Sequence, residues 1–400
     1  MRADCGGQRP GATPARFVAA AGTGKGNGHI QVKGTVTFEC DRPFGWLEFR
    51  DDRDVTLKTY RAVRLDAPGR ALVDATLAVP SPGPGEVVVR VVAAGVCHSD
   101  AHYRSGVGST RHPLTLGHEV AGVVAAVGSG VDTPRTGERV CLHYLVTCGE
   151  CRDCRAGREQ FCATGQMIGK DRDGGFAELI RVPARNAHPL PAEVPFEHGA
   201  IMMCSSATAL HALRKARVGR GDSVAVFGVG GLGVSAMQLA RALGASAVYA
   251  VDLNRVKLEL AARLGAIPVD AKAGDPVAAI RTATGGRGVD AALELIGSAR
   301  AMEQAVQSLA PQGRAALAGL TQERLSLAPY RDLLGREAEV IGVSDHLAPE
   351  IGELMQFVSR GELDLTQAVT RVVPLEAGAI DRVLDDLEAF RDDVRCVVRP

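Results

Sequence analysis

The stretch Ser223–Asp252, SVAVFGVGGLGVSAMQLARALGASAVYAVD, decides the fold of this chain. It opens with a β-branched apolar run and continues through glycines in the spacing G-x-G-x-x-G. Apolar residues then recur at helical spacing over 234–243, and a second apolar run ends in an acid. A strand, a glycine turn, a helix and a strand ending in a carboxylate form the context in which this glycine pattern indicates dinucleotide binding. We therefore favour a cofactor turn over a packing turn without a ligand.

The glycines of this turn have separate physical roles. Gly228 permits the tight turn, Gly230 lets the backbone approach a pyrophosphate, and Gly233 allows close packing of helix and strand. The N–H groups and positive end of the helix then face the phosphates. Asp252 follows Gly228 by 24 residues. A carboxylate there can accept hydrogen bonds from ribose hydroxyls and repels a 2′-phosphate, so the sequence predicts NAD rather than NADP.

Composition excludes several classes of partner. The 400 residues are 46% hydrophobic, and 46 basic residues balance 46 acidic ones, so no basic excess points to nucleic acid. No apolar run approaches the length of a membrane span, and the first residues lack the apolar core of a secretory signal. The spacing of the ten cysteines favours metal over disulfides, which fits a reducing, cytoplasmic compartment.

Periodicity divides the chain into four parts. Residues 1–57 are rich in Gly, Ala and Arg without usable periodicity, and we expect a disordered or weakly structured extension. Short strands separated by Pro/Gly turns over 58–198 predict an antiparallel, barrel-like β domain. Strands alternating with helices over 199–345 predict a doubly wound parallel sheet. Residues 346–400 are expected to return to the β domain.

The expected elements of the α/β part follow from the same patterns. Its strands are predicted at 223–227, 247–251, 291–296, 314–319 and 339–343. Helices are predicted at 234–243, 255–264, 301–309, 349–359 and 377–390, with a last strand at 395–398.

Four cysteines lie together in CGECRDCRAGREQFC, at positions 148, 151, 154 and 162. Four thiolates this close suit a closed, tetrahedral, structural zinc site. A zinc ribbon is excluded because it needs two CxxC pairs separated by about 15–20 residues, a spacing that this segment does not have. A bacterial ferredoxin site has three residues before its last cysteine, where this chain has seven. The sequence therefore predicts a structural zinc lobe over 148–162, with Cys148, Cys151, Cys154 and Cys162 as ligands.

A second set of possible ligands is dispersed along the chain, in GVCHSDAHYRSG, TLGHEVAG and MMCSSATALHAL. Catalytic zinc takes three protein ligands and leaves one position for substrate, and two cysteines with one histidine form such a set. Cys97, His118 and Cys204 could supply it. Spacing alone does not separate Cys204 from Cys141, and single buried cysteines are usually hydrophobic core residues.

Taken together, GVCHSD, GHEVAG, the four-cysteine segment, GVGGLG and Asp252 resemble the zinc-dependent medium-chain alcohol dehydrogenases, and most closely their microbial NAD-dependent branch. The resemblance covers about 60–400 in the right order. It implies a GroES-like β-barrel catalytic domain interrupted by a Rossmann domain, with substrate in the cleft between them. It also implies two zinc ions per chain, NAD, and a homodimer or homotetramer, and it selects Cys204 over Cys141 as third ligand.

The resemblance also implies roles for single residues. Ser99 matches the hydroxyl that hydrogen-bonds the alcohol oxygen, and His102 the outer histidine of a proton relay. Asp100 matches the carboxylate that orients the ligand histidine, and Glu119 a carboxylate close to the metal. Tyr144 falls where an aromatic ring narrows the substrate pocket, although a plain core tyrosine explains it equally well. The implied cofactor contacts are Gly228, Gly230, Gly231, Gly233, Asp252, Lys257, His98 and Arg395.

This chain departs from the family pattern after the third ligand. Many members have Cys-Ala-Gly there, whereas this chain has Cys204-Ser205-Ser206. The implied reaction is reversible oxidation of a primary or secondary alcohol to an aldehyde or ketone, with hydride transfer to NAD. Two alternatives remain, a zinc-independent, NADPH-dependent enoyl or quinone reductase of the same superfamily and a non-catalytic dinucleotide-binding protein. The ligand set and Asp252 argue against the first, and Ser99 with His102 against the second.

Overall fold

The computed structural model describes residues 58–108, 110–389 and 394–400, so the predicted extension at 1–57 lies outside the described residues. From Thr59 onward the chain forms short strands joined by turns, as the Pro/Gly spacing predicts. The strands are β1 (Thr59–Leu65), β2 (Val73–Ala78), β3 (Glu86–Val96), β4 (Leu114–Thr115), β5 (Glu119–Val127), β6 (Arg139–Leu142), β7 (Leu145–Val146), β8 (Gln166–Met167), β9 (Leu179–Pro183) and β10 (Ala187–Pro189). The helices of this part are α1 (His98–Ser105), α2 (Arg152–Arg155), α3 (Phe196–Ile201) and α4 (Ala207–Lys215).

These strands form antiparallel sheets with β3 in a central position. β3 pairs with β5 and β9, and β5 continues through β6 to β10, while β1 pairs with β2 and β4. The β-branched run at the start of β3 explains this place, because such side chains pack well on a pleated, buried surface. Val87, Val88 and Val89 are at most 2% exposed.

The second half contains the predicted parallel sheet. Its strands are β11 (Ser223–Phe227), β12 (Ala247–Asp252), β13 (Ile267–Asp270), β14 (Val289–Glu294), β15 (Leu309–Leu317) and β16 (Glu339–Gly342). They lie in the order β13-β12-β11-β14-β15-β16, and every neighbouring pair is parallel. The intervening helices are α5 (Gly231–Ala242), α6 (Arg255–Arg263), α7 (Pro276–Ala283) and α8 (Ala299–Gln307). The doubly wound sheet is thus confirmed, with Val226 paired to Ala250 and Leu293 on its two sides.

The sequence patterns missed β13 and α7. β13 is a four-residue edge strand in which Ile267 is 45% exposed, so it lacks the apolar run of a central strand. α7 begins with its N-cap Asp275, whose carboxylate accepts the Val277 N–H. β15 also starts at Leu309 rather than at residue 314, because a register shift lets Leu309 pair with Val289.

The last part of the chain contains α9 (Ala348–Ser359), β17 (Val369–Pro374), α10 (Ala377–Glu388) and β18 (Arg395–Arg399). Of these, β17 and β18 join the sheet that contains β3, whereas the buried side chains of α9 share a core with those of α4 and α5. β18 runs antiparallel to β3, with Val397 opposite Gly95, and parallel to β17. The domain boundaries at 198/199 and 345/346 stay predictions. Among the described residues, no helix combines the length and apolarity that a bilayer crossing needs.

This topology brings distant parts of the sequence to one place. β3 ends at Val96, directly before Cys97, and β5 begins at Glu119, directly after His118. Because β3 and β5 are antiparallel neighbours with Gly95 opposite Glu119, these two ends meet. A side chain at position 95 would overlap the Glu119 carboxylate, so glycine is needed there.

Candidate active site

Four buried side chains form a cluster of possible metal ligands. Cys97, His118, Glu119 and Cys204 each offer one ligand atom, and these atoms all lie within 4.8 Å of one another. The Cys97 and Cys204 sulfurs are 4.0 Å apart. Cys204 reaches the cluster from a π-helical turn over Met202–Ser206. The structure thus brings together the three predicted ligands.

Cys141 lies outside this cluster. Its thiol points to the backbone carbonyl of His188, with the sulfur 3.7 Å from that oxygen. Burial raises the pKa of Cys141 to about 12, so the thiol stays protonated. The structure therefore places Cys141 as a core residue and separates the two candidates that spacing left open.

Asp100 organises the cluster from the first turn of α1. One carboxylate oxygen accepts the Cys97 N–H at 2.9 Å. The other accepts the Gly117 N–H at 3.1 Å and lies 3.2 Å from His118 Nδ1. A carboxylate only accepts, so His118 must carry a proton on Nδ1 and direct Nε2 toward the thiols. Asp100 is fully buried, which makes this orientation strongly constrained.

The charges of the cluster are those of a metal site. The contact with Cys204 lowers the pKa of Cys97 well below its usual value. The same contact, together with burial, raises the pKa of Cys204. Burial acts to lower the pKa of His118, but the attraction of Asp100 and Cys97 outweighs it and holds that pKa well above its usual value. A thiolate, a neutral thiol and a protonated histidine lie together in this buried site, and a bound cation would replace the protons on the Cys204 sulfur and on His118 Nε2.

The donor set fits zinc. His118 Nε2 and Glu119 Oε2 are buried and have no hydrogen-bond partner among the described residues, whereas Glu119 Oε1 lies 2.9 Å from Arg395 Nη2. Two cysteine sulfurs and an imidazole nitrogen supply three ligands, which leaves a fourth position for another oxygen. These unpaired atoms are therefore the ones that a bound zinc ion would engage or face.

Arg395 connects this cluster to the glycine turn. Its Nη2 lies 2.9 Å from Glu119 Oε1 in an ion pair, and its side chain is 5% exposed. A Cβ atom at Gly231 would overlap the Arg395 guanidinium, so this glycine lets the arginine approach the start of α5. Burial raises the pKa of Glu119 to about 8, although Arg395 acts to lower it. The predicted cofactor residue Arg395 thus touches both halves of the site.

Ser99, His102 and His98 lie on α1 beside the cluster. The Cys97 sulfur is 3.9 Å from Ser99 Oγ. The rings of His98 and His102 are 5.1 Å apart between centroids, and both residues are half-buried. Burial and then His102 lower the pKa of His98. One short helix therefore carries the predicted hydroxyl and histidines from the cluster outward.

The glycine turn has the geometry that its pattern predicts. Gly228 has a φ of +99°, a conformation that favours glycine. A Cβ at Gly233 would overlap the Gly228 carbonyl, whereas a Cβ at Gly230 would meet nothing within 4 Å. Protein packing thus explains Gly228 and Gly233. Packing does not explain Gly230, which faces open space. The close approach of a ligand would explain why this position is a glycine.

Asp252 contacts the glycine turn as well as the next loop. Its Oδ2 accepts the Val229 N–H at 2.7 Å, and its Oδ1 accepts the Asn254 N–H at 2.9 Å. Asn254 caps α6 and accepts the Lys257 N–H at 3.3 Å. The sequence predicted Asp252 and Lys257 beside a ribose but missed that Asp252 also braces the turn.

The four lobe cysteines come together as predicted. Cys148, Cys151, Cys154 and Cys162 offer sulfur atoms that lie within 4.8 Å of one another. The backbone N–H groups of Glu150 and Cys151 donate to the Cys148 sulfur at 3.4 and 3.3 Å. These bonds lower the pKa of Cys148 to about 6. Thiolates held by backbone N–H groups in this arrangement fit a closed zinc site.

Tyr144 is both buried and next to the cluster. It is 2% exposed, and its ring stands edge-on to that of His118, with centroids 5.3 Å apart. Its hydroxyl donates to Asp345 Oδ1 at 3.0 Å. Tyr144 is therefore a core residue next to His118, and its part in a substrate pocket stays a prediction.

Sequence reasoning missed two groups of buried polar residues. Ser206 and Ser235 share a hydrogen bond of 2.8 Å, which joins the Cys204 turn to α5. The second group surrounds Tyr144 and consists of His143, Glu159, His188, Asp345 and His346. No sequence signal reveals the second group, because most of its members are far apart along the chain. The departure at Ser205-Ser206 was the single visible sign of the first.

Comparisons with known proteins support the family resemblance of the sequence. The sequence profile of the alcohol dehydrogenase GroES-like domain matches residues 83–192, and that of the zinc-binding dehydrogenases matches residues 231–360. An alcohol dehydrogenase of Rhizobium meliloti (strain 1021) is 36% identical over 331 residues, which cover 80% of this chain and 96% of the relative. A sorbitol dehydrogenase of Bacillus subtilis (strain 168) is 33% identical over 319 residues, covering 77% of this chain and 89% of the relative.

A solved structure shares the whole described fold. It is a zinc-binding dehydrogenase from Sinorhizobium meliloti 1021 bound to NADP, with a TM-score of 0.80 and 31% identity. The superposition covers 86% of this chain and 99% of that one. The two relatives are named for different substrates, an alcohol and sorbitol, and the solved structure holds NADP.

Proposed function

Because this chain belongs to the zinc-dependent medium-chain alcohol dehydrogenase family, we propose that it transfers hydride reversibly between an alcohol and NAD. A primary or secondary alcohol would become an aldehyde or ketone. The observation that carries the proposal is the buried cluster of Cys97, His118 and Cys204, which Arg395 joins to the glycine turn. Arg395 thus lies between the possible ligands of a Lewis acid and the turn that would bind the dinucleotide.

Cys97, His118 and Cys204 would hold the catalytic zinc ion, with Glu119 beside it. When bound, zinc acts as a Lewis acid toward the alcohol oxygen and favours loss of its proton. Asp100 would keep the Nδ1 proton of His118 in place, so that Nε2 presents its lone pair to the metal. Burial of the cluster excludes water from the reacting atoms, which strengthens every electrostatic contact there.

Ser99 and His102 would move the alcohol proton outward. The Ser99 hydroxyl lies beside the Cys97 sulfur, where it could hydrogen-bond an alcohol oxygen. His102 follows one turn later on α1. Histidine exchanges protons with water near neutral pH, which suits it to the outer end of a relay.

The dinucleotide would lie along the glycine turn. Gly228, Gly230, Gly231 and Gly233 would cradle its phosphates at the start of α5. Arg395 and His98 would face them from the metal side, while Asp252 and Lys257 would contact the adenosine ribose. We propose NAD because the Asp252 carboxylate repels a 2′-phosphate. A second zinc ion would sit in the four-cysteine lobe and stabilise its fold.

We further propose a homodimer or homotetramer in the cytoplasm. β16 is an edge strand of the parallel sheet, and Val340 on it is 41% exposed. An unpaired edge with apolar side chains is suited to pairing with a second copy. Sedimentation velocity measures the oligomeric state directly.

The proposal of the cytoplasm rests on the cysteines. The eight described cysteines are free thiols, as a reducing compartment requires.

A panel of alcohols, aldehydes and ketones with NAD and NADP tests the function, with zinc content measured on the same sample. We expect reduced nicotinamide to form with NAD and at least one alcohol, and two zinc ions per chain. Cys97→Ser and Cys204→Ala should each nearly abolish turnover while NAD binding survives. Near-wild-type activity in both variants would remove the zinc assignment. Reduction of a polarised double bond by NADPH without catalytic zinc would favour the reductase alternative.

A further inference from the structure

A network of buried imidazoles and half-buried carboxylates lies beside Tyr144 and takes no part in the proposed chemistry. It joins three places in the chain: the segment between β6 and β7, the four-cysteine lobe, and the loop between β16 and α9. His143 is 2% exposed and His346 is fully buried. Buried polar side chains need partners, so each contact in this network constrains the elements that it joins.

The first contact leaves the four-cysteine lobe. Glu159, which lies between Cys154 and Cys162, accepts the Ala348 N–H at 2.6 Å. Ala348 is the first residue of α9, whose positive end favours a carboxylate. The same Glu159 oxygen lies 3.5 Å from His143 Nε2. The contact with His143 lowers the pKa of Glu159, so its carboxylate is charged.

The second contact passes from His143 to the loop before α9. His143 Nδ1 lies 3.0 Å from His346 Nε2. One of these two nitrogens donates and the other accepts, so at least one of the two rings is neutral. His143 Nε2 faces Glu159 at 3.5 Å but has no hydrogen-bond partner among the described residues. Burial lowers the pKa of His346 well below its usual value, which keeps this ring neutral as the arrangement requires.

The third contact reaches the metal cluster. Asp345, next to His346, accepts the Tyr144 hydroxyl at 3.0 Å. Asp345 has a φ of +55°, a conformation that costs free energy in a non-glycine residue and is kept only where surrounding contacts hold it. The Tyr144 ring stands edge-on to His346 at 4.9 Å and to His118 at 5.3 Å between centroids. The loop that Glu159 holds therefore also fixes the ring beside a metal ligand.

We propose that Glu159 is a positioning residue for substrate binding. From the lobe it holds Ala348 at the start of α9. It thereby fixes the preceding segment 344–347, in which Asp345 sets the Tyr144 ring against His118. This inference rests on the proposed function, because it assumes that substrate binds next to His118. It gives the four-cysteine lobe a part in shaping the substrate site in addition to its part in folding.

Hydrogen exchange tests the physical link without any substrate. In Glu159→Ala, the amides of residues 344–348 should exchange about tenfold faster than in the wild type, because a charge-assisted hydrogen bond to α9 is lost. Asp153→Asn is the matched control, since Asp153 lies in the same lobe and pairs with Arg158 at 2.7 Å. The control should keep the wild-type exchange rate at 344–348. Wild-type exchange in Glu159→Ala would overturn the proposal.

Steady-state kinetics tests the consequence for the site. Glu159→Ala and Tyr144→Phe should each raise the KM for the alcohol about tenfold and change the KM for NAD less than about twofold. The double variant should be no worse than the poorer single variant, because both changes break one path. Additive effects, or equal rises in both KM values, would contradict the path from Glu159 to Tyr144.

Zinc content and a conservative variant separate positioning from loss of the lobe. Glu159→Gln keeps an oxygen that can accept the Ala348 N–H, so its exchange and KM should lie nearer the wild type than those of Glu159→Ala. All variants should retain the wild-type zinc content. A loss of zinc that accompanies the KM change would assign the effect to lobe unfolding and refute the proposal. If no alcohol is oxidised, the proposed function fails, while the exchange result still decides the physical link.

Discussion

Replacing Asp100 with asparagine should weaken the metal cluster more than any nearby surface change. The carboxylate serves three donors, which are the Cys97 N–H, the Gly117 N–H and the His118 Nδ1–H. Asparagine offers one acceptor oxygen and one NH2 group, so at least one of these buried donors loses its partner. A buried donor without a partner costs about 1–3 kcal/mol, and the lost charge beside His118 adds to it. We expect a loss of about 2–4 kcal/mol in unfolding free energy.

The same change should lower zinc affinity at the catalytic cluster by about 10–100-fold, the usual effect of losing a carboxylate that orients a ligand histidine. Competition with a chromophoric chelator measures this affinity, and the four-cysteine lobe serves as an internal reference that should keep its zinc. Asp270→Asn is the control, because Asp270 is exposed and accepts two backbone N–H groups but contacts no ligand. If the Asp100→Asn variant bound zinc as tightly as the wild type at both sites, the proposed role of Asp100 in orienting His118 would be refuted.

Three further predictions concern the parallel sheet and its glycine turn. Asp252→Gly should raise the use of NADP relative to NAD but weaken the binding of both dinucleotides, since Asp252 also holds the turn. Asp252→Asn should shift the preference with less loss of binding. An unchanged ratio of the kcat/KM values for NADP and NAD would contradict this prediction. Ser206→Ala should lower the urea unfolding free energy by about 1–2 kcal/mol, because it leaves the buried Ser235 hydroxyl without its donor; equal stability of Ser206→Ala and wild type counts against a shared bond. Partial burial acts to raise the pKa of Asp290, but bonds from Arg287 and Ser223 lower it to about 2, so its contribution is present above pH 4 and lost as pH falls toward 2. Asp290→Asn should therefore cost about 2 kcal/mol at neutral pH, and a difference from wild type that persists in acid would contradict that origin.

The parts of the fold that sequence predicted are those coded by neighbouring residues. The glycine turn and the flanking strands β11 and β12 are set by local spacing, and the structure has them within a residue of the prediction. The four-cysteine lobe was visible for the same reason. β13 escaped because it has four residues and a proline at position 268, which argues against a strand. β18 was expected because its apolar run is short but unbroken.

The candidate site divides in the same way. Cys97, Asp100 and Ser99 fall in one short motif, so their proximity could be predicted from helix geometry. Cys204 needed a resemblance, since nothing in its own segment tells it from Cys141. Contacts between residues hundreds of positions apart, such as that of Tyr144 with Asp345, leave no local pattern. They depend on how the loops of two sheets meet, which only the folded chain reveals.

The pairing of β18 with β3 has a consequence for co-translational folding. Cys97 leaves the ribosome well before Arg395, which pairs with Glu119 and lies against Gly231. Domains usually fold in the order in which they are synthesised. Here the metal ligands would lack the guanidinium that joins them to the glycine turn until the strand at 395–399 has been synthesised. A nascent chain stalled before residue 395 should thus fold much of its two sheets and still lack a finished site.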